Sequence, residues 1–301
     1  MKNVLCIFRA VCFSPGMIER DEAILRTVAS RLQTAGYPVS LIHEENLTLT
    51  TPMPTIVLHM ARSPHALDIL MRWEDAGCHV LNPVNSIRNV ERETLARLCT
   101  ELAIPTPKTW IVDTANHGFL TVAITKGHTD EFNFPCWVKR TGSCAQQADD
   151  VCLVYNIKEY EQILIGFHDR HIERAIVMEH LEGPCIKFYA VRGTGFFYYL
   201  PSDHLEYDKW NRLDKTTECK YEASPSLKTS DSFFSNSTKE LIAKLQEIDK
   251  TYFPIVYGGD AIIGTDGIAR LIDLNDWPSF SVCRNEAAEA IIQLIEHSVQ
   301  N

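Results

Sequence analysis

What the chain lacks narrows it first. Its ten cysteines never fall into a Cys-x-x-Cys pair, the spacing that paired-cysteine metal and redox sites use. Several of them (Cys6, Cys99, Cys136, Cys152) sit in apolar strand or helix patterns, where a thiol behaves as a small hydrophobe. Reduced thiols and a cytoplasmic setting are therefore expected. The N-terminus shows no basic, apolar and cleavage-site regions in order, and no apolar run is long enough to span a bilayer. Positive excess is missing too. A formal net charge of −10 argues against a protein that grips nucleic acid through its phosphate backbone. There is no Walker lysine loop, no nucleophile elbow, no internal repeat and no low-complexity tract. His168, Asp169 and His171 have no second ligand pair at zinc spacing.

What is present is ordinary in bulk. With 301 residues, 45% of them apolar and 23% charged, the chain can bury a sizeable core spread over one to three domains. Residues 1 to about 85 alternate strand and helix patterns: strands over Val4–Phe8, Val39–His43, Thr55–His59 and His79–Leu81, helices over Asp21–Ala35 and from Ser63-Pro64 onward. Ser63 suits an N-cap and Pro64 the first turn. Such alternation predicts a parallel sheet in an α/β layer unit. Ser86–Ala103 predicts one long helix with Ile87, Val90, Leu95, Leu98 and Leu102 as its stripe, broken by Ile104-Pro-Thr-Pro107. Strands and one helix follow to Glu179, and Gly193-Thr-Gly195 predicts a hairpin between Cys185–Arg192 and Phe196–Leu200. Residues 201 to about 236 are polar and turn-rich, too long for an idle connection. Ser237-Thr-Lys-Glu240 has the form of a capping box, and Asn285–His297 that of a closing helix.

The chemistry concentrates near the C-terminus. Asp260 and Asp273 lie on strands joined by Thr265-Asp-Gly267, a hairpin turn sequence. Asn275 is two residues beyond Asp273, so the two side chains share a face. If Asp260 pairs with that face, three hard oxygens converge, a set that suits Mg²⁺; alone, the same residues read as a solvated strand end. Upstream, Lys139 ends the apolar strand Cys136-Trp-Val-Lys139 before a small polar loop, where an ammonium and the amides of Thr141–Ser143 can meet phosphates. Alone it reads as a snorkelling lysine. Val177-Met-Glu-His-Leu-Glu-Gly183 predicts a strand entering a polar hinge, and Lys187 on the next strand faces the same cleft. Arg62, at a strand end beside a helix start, is a candidate anchor for a substrate anion or one half of a surface ion pair; Arg20 is a weaker candidate. Arg284 and Ser279, around Trp277-Pro-Ser-Phe280, are further substrate candidates.

Taken in order, Pro135-Cys-Trp-Val-Lys139, Met178-Glu-His-Leu-Glu-Gly183, Gly258-Gly-Asp260 and Ile272-Asp-Leu-Asn275-Asp-Trp-Pro278 resemble the ATP-grasp superfamily, over nearly the whole chain. The resemblance implies an α/β fold, α+β in its catalytic part. An N-terminal unit over 1–85 and a linker over 86–115 would precede two subdomains, 116–183 and 184–301, that clasp ATP. It implies ATP and one or two Mg²⁺ ions as cofactors. Lys139, Thr141, Gly142 and Ser143 would lie on the phosphates, Met178, His180 and Leu181 around adenine, and Glu179 or Glu182 near the ribose. Asp260, Asp273 and Asn275 would hold metal, and Lys187 the transferred phosphoryl group. Two branches share features with the chain. Ile186-Lys187 and Ile272-Asp-Leu-Asn275 look like inositol trisphosphate kinases, while Gly258 is shared with ribosomal-protein glutamate ligases; D-alanine–D-alanine ligases carry Arg at that position. A carboxylate–amine ligase acting on small molecules is the expectation. A small-molecule kinase and a catalytically silent ATP-binding protein are the alternatives. No nucleic-acid or membrane partner is expected, and the resemblance suggests a homodimer.

Overall fold

A computed structural model describes residues 2–14, 16–115, 121–124, 131–142, 145–202 and 236–300. Ser143, residues 126–130 and nearly all of the 201–236 segment lie outside the described residues. The first sheet contains β1 (Val4–Phe8), β2 (Val39–His43), β3 (Ile56–His59) and β4 (His79–Leu81), all parallel, in the order β2-β1-β3-β4. Every residue of β1 is buried because both faces are covered, which is why the strand is a continuous apolar run. Val4, Cys6 and Phe8 pack with Ile24, Val28 and Leu32 of α1 (Ile18–Thr34). Leu5 and Ile7 pack with Leu67 and Leu70 of α2 (Pro64–Asp75). Ser63 caps α2 as expected, its hydroxyl accepting from the Ala66 N–H at 3.3 Å.

The long helix expected over 86–103 is two helices, α3 (Val84–Asn89) and α4 (Arg92–Glu101). Glu91 is extended between them, and the Arg92 N–H donates to Gly142 O at 3.3 Å instead of to its own helix. The five-residue step from Val90 to Leu95 in the apolar stripe marks the break. Val84 and Ile87 belong to the core of the first sheet, whereas Val90, Leu95 and Cys99 belong to another.

The second sheet is antiparallel, in the order β6-β5-β9-β7-β8: β5 (Thr109–Asp113), β6 (Thr121–Ala123), β7 (Cys136–Arg140), β8 (Val151–Val154) and β9 (Arg174–Glu179). Helix α5 (Ile157–Asp169) covers one face, where Cys136, Val138, Ala175 and Val177 meet Tyr160, Leu164 and Phe167. The opposite face of β7 and β9 carries Trp137, Lys139, Ile176 and Met178.

The third sheet is also antiparallel, in the order β11-β10-β12-β13: β10 (Cys185–Val191), β11 (Phe196–Ser202), β12 (Val256–Ile263) and β13 (Ala269–Asp276). Ile186, Phe188, Tyr257 and Ala261 point into a core shared with α4 and α6 (Asn236–Glu247). Tyr189, Val191 and Val256 point the other way, into a core shared with β1, α1 and α7 (Arg284–Gln300). The first and third sheets are thus welded by one core, while the second has its own. Both expected hairpins are present, with positive φ at Gly193, Gly195 and Gly267. Ser237 is not the cap of a box with Glu240. It lies inside α6, and its hydroxyl accepts from the Ala269 N–H at 2.7 Å, tying the helix to β13. No helix among the described residues is long and apolar enough to cross a membrane, and no disulfide joins them.

Asn82, which nothing in its sequence surroundings singled out, fastens the first sheet to the third. Fully buried just past β4, it accepts from the Ile255 and Val256 N–H groups at 2.8 and 2.7 Å and donates to Val256 O at 2.8 Å. Its own carbonyl accepts from His59 Nε2 at 2.8 Å. Substituting Asn82→Ala strands those buried backbone groups, so the unfolding free energy should fall by about 2–4 kcal/mol. A urea midpoint within error of the wild type would contradict this account.

Candidate active site

The third sheet builds one wall from three adjacent strands. Lys187 of β10 lies opposite Asp260 of β12, which lies opposite Asp273 of β13. Residues directly opposite on neighbouring strands share a face, so these three side chains form a row. Lys187 Nζ is 4.0 Å from Asp260 Oδ1. Asn275 lies opposite Gly258, one step along the same face. Glycine is required in both positions before Asp260. A Cβ at Gly258 would come within 2.7 Å of Phe188 O and 2.8 Å of Pro278 Cγ, and one at Gly259 within 2.3 Å of Asp273 O. Among the described residues no protein group bonds the Asn275 amide, and no cluster of three His, Cys, Asp or Glu side chains occurs. The donor set is two carboxylates and an amide, all hard oxygen. Asp260 and Asp273 repel each other across the ladder, and a small divalent cation between them would relieve that. The residues fit Mg²⁺.

The facing wall comes from the second sheet. Lys139 of β7 is only 6% exposed, and its ammonium reaches across to Ile272 O at 3.4 Å while touching Met178 Sδ at 3.7 Å. Burial pushes its pKa down to about 8; Asp273 and Asp260 oppose the shift, and Arg92 adds to it. Lys139 and Asp273 line a cleft together with Met178, Ile272 and, from α4, Arg92 and Cys99. Arg92 is the functional candidate that the sequence reading passed over. Its guanidinium donates to Arg140 O at 3.1 Å, which sets a second cation beside Lys139.

The other expected site residues are placed as follows. Thr141 Oγ1 donates to Arg174 O at 2.9 Å, and Gly142 has φ +99° and accepts from Arg92. The loop beyond is organised by Asp150, which receives the Gln146 and Gln147 N–H groups at 2.7 and 3.1 Å and Arg170 at 2.7 Å. Burial alone would raise the Asp150 pKa, but those donors and Arg140 hold it low. At the hinge, Met178 is buried against Lys139, whereas His180 and Leu181 are half-buried and Glu182 is exposed. His180 Nδ1 accepts from Trp137 Nε1 at 3.2 Å. Glu179 already binds the Lys108 N–H at 3.2 Å and the Lys108 ammonium at 3.8 Å, which leaves Glu182 as the better ribose candidate. Gly183, φ +148°, closes the hinge against β12, where a Cβ would overlap Ile263 O.

Of the substrate candidates, Arg62 has its guanidinium ion-paired with the fully buried Asp276, the ion-pair alternative that the sequence left open, here buried and not at the surface. Arg9 flanks the pair, 3.7 Å from Asp276 and 3.5 Å from Asp21. Arg20 is exposed and donates to Ser281 Oγ at 3.4 Å. Ser279 and Arg284 remain half-buried at the turn into α7.

No family model and no curated protein matches this sequence. Solved structures do match the whole architecture. A D-alanine–D-alanine ligase from Bacillus anthracis, solved with ATP, has a TM-score of 0.67 at 12% identity over 100% of this chain and 98% of its own. D-alanyl-alanine synthetase A from Vibrio cholerae has 0.65 at 13% identity over 100% and 99%. A RimK domain ATP-grasp protein from Sphaerobacter thermophilus has 0.63 at 12% identity over 96% of each chain. The chain has the ATP-grasp fold.

The geometry sets a direct expectation for Lys139. Followed by the NMR shifts of its ¹³C-labelled side chain, the ammonium should titrate near pH 8. Asp273→Asn, which removes an opposing charge, should lower that midpoint, and Arg92→Met should raise it. A midpoint in the ordinary lysine range would mean that the ammonium is not buried between the two sheets.

Proposed function

We propose that the chain is an ATP- and Mg²⁺-dependent ligase that joins a small-molecule carboxylate to an amine. What supports this most is the pairing of the Lys187–Asp260–Asp273 row with a buried lysine, Lys139, on the facing sheet. Asp260, Asp273 and Asn275 would hold Mg²⁺, which, when bound, neutralises phosphate oxygens. Lys139 and Arg92 would orient the α- and β-phosphates, and Lys187 the γ-phosphoryl group. With the donors fixed in advance, positioning and electrostatics carry the catalysis. An acceptor carboxylate oxygen attacks the γ-phosphorus, the bond to the bridging oxygen breaks and ADP leaves. The amine nitrogen then attacks the acylphosphate carbon, phosphate departs, and the amine proton passes to solvent.

The electrostatics favour this outcome over phosphorylation of an inositol phosphate. A polyphosphate acceptor needs several uncommitted cations, yet Arg62 and Arg9 are engaged with Asp276 and Asp21. Nor is the acceptor expected to be that of the dipeptide ligases. The Arg they carry has no path at Gly258, where Pro278 and Phe188 already fill the space of a Cβ.

The test is ADP release from Mg·ATP over pooled carboxylates and amines. Asp273→Ala and Lys139→Ala should each lower turnover by about 100- to 1,000-fold, and undiminished turnover would reject the site. Because the protonated Lys139 is the phosphate-binding form, kcat/KM should fall as pH rises through about 8. A Lys139→Arg variant, charged throughout, should lose that limb, and a limb unchanged in it would exclude Lys139 as its source.

A further inference from the structure

The N-terminal sheet holds both outer ends of the hairpin that carries the metal candidates. On β12, Asn82 binds the backbone of Ile255 and Val256. On β13, Asp276 follows Asn275 directly, and the ends of β1 and β3 close on it. Arg62 is ion-paired with its carboxylate, and Arg9 donates to its backbone carbonyl at 3.4 Å. Side chain and main chain of one residue are fixed together. The chain then turns at once: Trp277 has φ +39° and donates its N–H to Val256 O at 3.2 Å.

Asn275 has little else to hold it. Its cross-strand neighbour is Gly258, which has no side chain to bear on it, and no described group bonds its amide. Asp273, by contrast, is opposite Asp260 and accepts the Leu274 N–H at 3.0 Å. We infer that Asp276, clamped by Arg62 and Arg9, is a positioning residue for Asn275, so that the N-terminal unit completes the cation site of the third sheet. This rests on the proposed reading of that site as a magnesium site. The clamp touches neither substrate nor metal; it acts through the backbone between residues 275 and 276. Loss of a comparable supporting contact lowers metal affinity by about 10- to 100-fold in known sites.

The experiment measures binding of Mn²⁺ alone, and of Mn²⁺ with a non-hydrolysable ATP analogue, by electron paramagnetic resonance. Removing one partner of a buried ion pair strands the other and risks unfolding the protein. The principal variant is therefore the double Arg62→Met/Asp276→Leu, which removes one charge of each sign and fills the space with apolar groups. It should keep the wild-type thermal midpoint within a few degrees and bind Mn²⁺ about tenfold more weakly. Arg62→Lys, which keeps the pair, should recover most of the affinity. Wild-type Mn²⁺ affinity in the folded double variant overturns the clamp while leaving the magnesium site intact, provided Asp273→Ala still abolishes binding. If the double variant does not fold, Arg9→Met decides: it removes the donor to the Asp276 carbonyl and should weaken Mn²⁺ binding, and unaltered Mn²⁺ affinity in it overturns the inference. A wild-type protein that binds no Mn²⁺ with or without the analogue removes both this inference and the reading beneath it.

Discussion

A single irregularity in one ladder fixes the chemistry of the cleft. Between β12 and β13 the register runs Asp260 to Asp273 and then jumps from Ala261 to Leu271, leaving Ile272 unmatched. In a regular strand Leu271, Asp273 and Asn275 would share one face, and either the leucine would leave the core or the polar pair would enter it. The bulge changes parity in mid-strand. Leu271 and Leu274 both reach the core under α4 and α6, while Asp273 and Asn275 keep the cleft face. Gly259 makes the arrangement feasible, because the Asp273 carbonyl occupies the space a Cβ would need there.

The same strand accounts for the environment of Lys139. The bulged Ile272 presents its carbonyl to the ammonium from the facing sheet, an uncharged partner for a charge almost entirely removed from water. Burial, with Arg92 nearby, wins over the attraction of Asp273 and Asp260, so the lysine holds its proton less firmly than usual. A structure optimised only for stability would place a firm counter-ion there. Groups held in a poorly compensated state are typical of sites waiting for a ligand of opposite charge, and on the proposed reading a phosphate would compensate this one.

Much of this was legible in the sequence, and the reasons differ from element to element. The buried parallel strands announce themselves as apolar runs, and the two hairpins through Gly-x-Gly and Asp-Gly, because backbone sterics act locally. The order of lysine, hinge, lysine and Asp…Asp-x-Asn is one-dimensional information, and it pointed to the ATP-grasp fold that the solved structures share. What could not be read was long-range pairing. Arg62 and Asp276 are 214 residues apart, and nothing local tells a surface arginine from one half of a buried pair. Asn82 is equally silent, since its partners lie on a strand more than 170 residues away. The Arg92 N–H, at the split of the 86–103 helix, likewise finds its partner far along the chain, at Gly142.

On the proposed reading, an acidic chain that binds a nucleoside triphosphate must concentrate its cations, and their distribution here bears on what else the cleft admits. Lys139, Arg92 and Lys187 surround Asp260 and Asp273, a surplus of one positive charge. A triphosphate brings far more negative charge than that surplus offsets, so on the proposed reading divalent metal is a requirement of charge balance and not an accessory. Toward the N-terminal sheet the balance reverses. Arg62 and Arg9 are matched by Asp276 and Asp21, with Glu44 buried beside them receiving the Arg62 and Ala10 N–H groups at 2.7 and 2.9 Å. An acceptor approaching from that side meets no net positive field. On the proposed reading, shape and the few groups at the turn into α7 would draw it in, which suits a small molecule of modest charge better than a phosphorylated one.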